Sequence, residues 1–182
     1  MSGTTLMGRW GSRLNRIRDE DLLLDNILEL IDLHLHIDLC SLMVLDPRTN
    51  ALCIKKAVGM DDVDISGIRV PVGEGIAGYV AAGTRPLLIR DISTDPHLVR
   101  RETRKNPYTT NSLLSVPLVA EGRVIGVINV NNRKDGLSFT EEDQALLTAI
   151  SSKIALVLQR SYMKLQLKKN KTLDEEINRF MV

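Results

Sequence analysis

Few residues in this chain have types and spacings that could do chemistry. Gly73-Glu74-Gly75-Ile76-Ala77-Gly78 matches G-x-G-x-x-G, and Asp91 follows 18 residues after Gly73. On paper this is a dinucleotide-binding turn. Its setting argues against that chemistry. Val70 to Asp91 is 22 residues, whereas the strand–helix–strand unit needs about 30. Pro71 sits in the supposed first strand. The glycines read instead as a tight turn with close helix–sheet packing. Backbone N–H groups at such a helix start can still hold a phosphate or carboxylate.

The remaining candidates are Cys40, Cys53, His34, His36 and His97. Two cysteines 13 apart and three scattered histidines fit no zinc pattern. His34 and His36, at i and i+2 of a helix, face apart and cannot chelate one metal. His34 reads as a core or interface residue. Both cysteines fall in short apolar runs, where a free Cys is usually a small buried hydrophobe rather than an exposed, electropositive nucleophile. Arg100, Arg101, Arg104 and Lys105 could draw an anion, or simply face solvent.

The elements that must position these residues follow from periodicity. Acidic Asp19, Glu20 and Asp21 open a helix. Its Leu23, Leu24, Ile27, Leu28, Leu30, Ile31 and Leu35 cover an arc of about 160° at 3.6 residues per turn. That exceeds the roughly 100° needed for one core contact and predicts a second contact surface, such as another subunit. Leu39–Leu45 and Ala51–Val58 flank Asp46-Pro47-Arg48-Thr49-Asn50, a hairpin with a type I turn. Ile68–Val72 is a further extended piece, kept off a central strand by Pro71. A short helix, Ile76–Ala82, is expected to close at Gly83, and a strand follows at Leu87–Ile89. Ser93–Asn111 reads as a long functional or mobile loop. Leu113–Ala120 and Val124–Val130 form a second hairpin around Glu121-Gly122-Arg123. Thr140 caps a last helix with an acidic first turn. Continued to Lys169 it would span about 45 Å, longer than a domain of this size is wide.

Composition bounds the rest. The chain has 182 residues, 43% hydrophobic and 26% charged, with a formal net charge of +1. This is ordinary for one folded domain. Near-neutral charge and 3% aromatics argue against direct nucleic-acid binding. No apolar run is long enough for a membrane span and the N-terminus lacks a secretory core. The expectation is a cytoplasmic protein with reduced thiols.

Five segments together resemble the GAF domain family. They are Val70–Gly78, Asp91-Ile92 with Asp95-Pro96, Leu114–Leu118, Val124–Val130 and Phe139–Asp143. The resemblance covers roughly Asp21 to Arg160. It implies an α+β fold: a central antiparallel sheet of about six strands, N- and C-terminal helices on one face, and the short helix and loops over a pocket on the other. The expected division is a flexible or weakly helical lead-in over 1–18, the domain over 19–160 and a helical extension over 161–182. The resemblance also implies a non-catalytic sensory or regulatory domain of a signal-transduction protein. Such a domain binds a small molecule and relays its state through a homodimer of terminal helices.

Three subtypes can be read residue by residue. Cyclic-nucleotide-binding relatives carry Asn-Lys, then Phe, three residues, and Asp-Glu. Asn132, Phe139 and Asp143 match, Arg133 and Gln144 do not, and an Arg133–Asp143 pair could replace the family's Lys–Asp pair. Bilin binding needs a loop cysteine, and residues 91–111 hold none. Haem needs an axial ligand, for which His97 is the candidate. The sequence thus identifies no cofactor. The expected ligand-facing residues are Gly75, Ile76 and Tyr79 on the short helix, Asp91, Asp95 and His97 in the loop, and Ser115 and Asn129 on strands. The alternatives are a ligand-free dimerisation domain and, less favoured, a free methionine sulfoxide reductase.

Overall fold

The structure, a computed structural model, describes residues 20–61, 64–92 and 112–180. The lead-in over 1–18 and the loop residues Asp95, His97 and Arg100–Lys105 lie outside these residues.

Helix α1 (Glu20–Leu35) starts on Glu20 and Asp21, as helix polarity favours. Leu24, Ile27, Leu28, Ile31 and Leu35 bury the i, i+3, i+4, i+7 face. It ends where His36 turns left-handed (φ 49°) and its N–H donates to the Asp32 carbonyl at 2.8 Å, an αL stop. The chain reverses into β1 (Ile37–Asp46) and β2 (Ala51–Val58), then β3 (Arg69–Pro71), α2 (Gly75–Gly83) and β4 (Leu87–Ile89). It continues through β5 (Leu113–Ala120) and β6 (Arg123–Arg133) to α3 (Glu141–Phe180).

The six strands pair in the order β3-β2-β1-β6-β5-β4, each pair antiparallel. Pro71 lies on the edge strand β3, where its missing donor costs no central ladder bond. Glu121 (φ 50°) and Gly122 (φ 73°) make a two-residue turn with both residues left-handed, the type that matches strand twist.

Alternation divides the sheet into two faces. Cys40, Leu42, Leu114, Val116, Leu118, Ile128 and Val130 pack with α1 and with Leu147, Ile150, Ile154 and Leu158 of α3. Met43, Leu52 and Val127 on the other face meet Ala77, Val80 and Ala81 of α2. The terminal helices therefore share one face and α2 covers the other.

The close of α2 shifts by one residue. α2 does not close at Gly83: the left-handed residue is Thr84 (φ 54°), whose N–H reaches the Val80 carbonyl at 2.9 Å. α3 takes in the helical extension expected after residue 160: it runs 40 residues without a break to Phe180, about 60 Å.

The glycine motif is a packing device. Gly73 (φ 89°) and Gly75 (φ 60°) take backbone conformations that side chains resist. A Cβ on Gly78 would stand 2.2 Å from the Pro71 carbonyl oxygen. The start of α2 is thereby drawn against β3.

A second device fastens β6 to α3. Thr140 caps the helix: the Asp143 N–H donates to its Oγ1 at 3.2 Å, and its own N–H donates to Asp143 Oδ2 at 2.8 Å. Arg133 Nη1 donates to the same Oδ2 at 3.0 Å, and Nε and Nη2 engage Asp135. The guanidinium also lies 5.7 Å from the centre of the Phe139 ring. Hydrogen bonding to Arg133 holds the Asp135 carboxyl well below its ordinary pKa. The Arg133–Asp143 pair expected from the sequence is formed.

Gly78→Ala is expected to cost about 1–3 kcal/mol by overpacking. Gly83→Ala, with no atom within 4 Å of the added Cβ, is expected to be neutral or stabilising. Chemical denaturation measures both. Thr140→Ala is expected to cost about 1 kcal/mol. Arg133→Lys, which keeps the charge but loses the fork, is expected to lower the thermal midpoint comparably.

Candidate functional site

A cavity of about 410 Å³ lies between the sheet and the start of α2. This is within the roughly 300–1,000 Å³ of small-molecule sites. Its floor is the α2-facing side of three strands: Ser41 and Met43 of β1, Asn129 and Asn131 of β6, and Leu113 of β5. Its walls include Gly59 and Met60 after β2, Ile68, Val70, and Gly75, Ile76 and Ala77 of α2. Gly59 is left-handed (φ 74°), and a Cβ there would sit 1.9 Å from the Asp38 carbonyl oxygen. The wall therefore crosses β1 as bare backbone.

The floor is built by register. β6 sets Asn129 opposite Ser41 of β1 and Ser115 of β5. Ser115 Oγ donates to Asn129 Oδ1 at 2.6 Å, and Asn129 Nδ2 donates to Ser41 Oγ at 3.1 Å and approaches Met43 Sδ at 3.7 Å. This polar ladder ties three strands together. Asn131, one pleat further along β6, is 6% exposed. Among the described residues that line the cavity none carries a charge.

The expected ligand-facing residues divide. Gly75, Ile76 and Asn129 line the cavity, and Ser115 stands behind Asn129. Tyr79, 52% exposed, and Asp91, half-buried, are not among the lining residues. Asp95 and His97 lie outside the described residues. Sequence reasoning missed Ser41, Met43 and Asn131. Asn131 carried a usable signal, because residues two apart on a strand share a face. Ser41 and Met43 needed the β1–β6 register, which joins positions almost 90 residues apart.

The cysteines are not placed for joint chemistry. Cys40 is fully buried in the helix-side core. Burial, with a smaller contribution from the Asp32 charge, pushes its thiol pKa up to about 12. Cys53 of β2 is half-buried and pairs with Val44, four residues along β1 from Cys40. Four residues span about 13 Å, beyond disulfide reach. Among the described residues no three His, Cys, Asp or Glu side chains group to hold a metal, and no helix is long and apolar enough to cross a membrane.

Comparison with known proteins agrees with this geometry. The sequence profile described as the GAF domain matches residues 18–159. A probable 3',5'-cyclic phosphodiesterase of Caenorhabditis elegans is 38% identical over 77 residues, 42% of this chain. The cone cGMP-specific 3',5'-cyclic phosphodiesterase subunit alpha' of Mus musculus is 28% identical over 89 residues, 49% of this chain. Each matched stretch spans 10% of the relative's own length. Among solved structures, the GAF domain of an Acinetobacter phosphoenolpyruvate-protein phosphotransferase superposes with a TM-score of 0.75 at 21% identity, covering 90% of this chain and 97% of that one. A free methionine-R-sulfoxide reductase from Neisseria meningitidis, solved with its substrate, superposes at 0.67 with 20% identity, covering 84% and 86%. The six-stranded antiparallel sheet with end helices on one face, the cavity on the other and the sequence match across residues 18–159 agree: the chain belongs to the GAF domain family.

Proposed function

We propose that this is a non-catalytic sensory domain that binds a small molecule and relays its state through α1 and α3 across a homodimer. The observation that carries the reading is the cavity itself: a space of about 410 Å³ with apolar walls and a short polar floor, beneath a short helix. A ligand there shifts the domain only if it binds two packings with different affinity. The helices carry that shift outward. Leu22 and Leu33 of α1, and Leu156, Tyr162, Met163 and Leu167 of α3, are exposed apolar side chains on the helical layer, the surface a second copy would cover. We place the domain in the cytoplasm, in the company of signalling enzymes such as the phosphodiesterases it resembles. The rival reading keeps the dimer and assigns the cavity no ligand.

The sulfoxide-reductase reading meets an obstacle in the cysteines. The chain has only Cys40 and Cys53, and the first is buried with a thiol held protonated. The linkage has a definite sign. Unfolded Cys40 would ionise near its ordinary value, about 8.5, while the folded thiol keeps its proton toward 12. Its contribution to stability is complete below the unfolded pKa and is lost as pH rises through that window.

Four measurements test the proposal and its rivals. Sedimentation should give a dimer, and Leu156→Glu with Leu167→Glu should give a folded monomer. A metabolite and nucleotide screen by thermal shift should raise the midpoint for at least one compound; a midpoint unmoved by every compound favours the ligand-free rival. A thiol reagent at pH 8 should modify Cys53 in the native protein and Cys40 only after unfolding. Reduction of free methionine sulfoxide that Cys40→Ser and Cys53→Ser abolish would instead make the domain an enzyme.

A further inference from the structure

The cavity floor carries two amides in unlike states. Asn129 is engaged on both sides, accepting from Ser115 and donating to Ser41. Asn131 shares its face and lines the cavity at 6% exposure. Among the described residues its side chain has no hydrogen-bond partner. No side-chain nitrogen or oxygen among the described residues is both fully buried and unpartnered, so the Asn131 amide keeps its donors and acceptor open to the cavity, and Asn is a poor strand residue. Leucine at this position would suit both the strand and the apolar surroundings better.

We infer that the cavity's ligand is an uncharged molecule with an apolar body and a cis-amide edge, a lactam or imide, that pairs with the Asn131 side chain. The inference rests on the small-molecule reading above and names its chemistry. A primary amide presents one acceptor and one donor side by side. A cis-amide presents the complement: its N–H donates to Asn131 Oδ1 and its carbonyl accepts from Nδ2. A carboxylate satisfies only the donor and sets its lone pairs against Oδ1. It also brings a charge among Met43, Met60, Ile68 and Ile76 with no cationic side chain on the described lining, an unfavourable transfer. Asn129 already accepts from Ser115 and directs its NH₂ at Ser41 and Met43, so it offers a guest less of its amide edge than Asn131 does.

The test uses the full chain and three probes: 2-quinolone, its N-methyl derivative, which lacks the donor, and quinoline-2-carboxylate. Calorimetry should show 2-quinolone binding at least about tenfold more tightly than either analogue, and NMR should show the Asn131 side-chain NH₂ pair moving on binding. Asn131→Leu should erase the preference over the N-methyl compound while leaving the thermal midpoint unchanged or raised. A purely structural Asn131 would instead lower the midpoint and leave the preference intact. Equal affinity for the quinolones, or tightest binding of the carboxylate, overturns the amide inference and leaves the small-molecule reading standing. No binding by any probe overturns the amide inference alone, because the small-molecule reading is decided separately by the metabolite and nucleotide screen. The wild-type probe comparison decides even where Asn131→Leu fails to fold.

Discussion

The structure depends on one alternation along β6. Ile128 and Val130 face the terminal helices, while Val127, Asn129 and Asn131 face α2 and the cavity. A slip of one residue would exchange these sets, placing amides in an aliphatic core and Ile128 and Val130 on the cavity side. Three features oppose the slip. The Glu121-Gly122 turn fixes the start of β6 against β5. Asn129 grips both neighbouring strands. Arg133 anchors the far end to Asp143 at the start of α3. Each would be lost in the shifted register, so local hydrogen bonds reinforce the choice that burial already makes.

The two faces are filled differently, and this is why one holds space. On the helix side, long Leu and Ile side chains from α1 and α3 interdigitate with those of the sheet, approaching the close packing of protein interiors. On the other side α2 is nine residues long and buries only Ala77, Gly78, Val80 and Ala81. Its start is pulled down where Gly78 meets Pro71. Small side chains on a helix pinned at one point cannot fill the area spanned by β1, β6 and β5. The gap persists because its boundary is rigid: edge strand, glycine crossing at Gly59 and polar ladder are fixed by backbone geometry and hydrogen bonds.

Much of this was legible in the sequence because it is local. The apolar period of α1, the Asp46–Asn50 and Glu121–Arg123 turns, the Thr140 cap and the glycine motif each depend on residues a few positions apart. Burial of Leu24, Ile27, Leu28, Ile31 and Leu35 follows directly from their spacing. The cavity floor was harder. The sequence places Ser115 and Asn129 on strands without fixing their face, since a strand's inward side is set by pairing with distant strands. Tyr79 is expected at the cavity only from its place on the short helix, yet Ala77, Val80 and Ala81 define the buried side and leave Tyr79 turned outward. The far part of α3 is legible as well, although the stretch after Lys169 is heavily charged. Leu173, Ile177 and Phe180 already carried the helical spacing further.

The same strand that floors the cavity also holds the long helix. Asn131 and Arg133 are two residues apart on β6, and Arg133 meets Asp143 in the first turn of α3. A planar guanidinium forked between Asp135 and Asp143 and lying beside Phe139 tolerates little rotation. Its hydrogen bonds are directional, so the contact is made or broken more readily than it is stretched. That gives the joint between sheet and helix the discrete character a relay needs. In the proposed sensor, a ligand seated on Asn131 acts on the strand within one pleat of this joint. On a helix of about 60 Å, a few degrees of tilt at Asp143 become a displacement of several ångströms at Phe180. The reach of α3 turns a small change at its capped end into a large one at its far end.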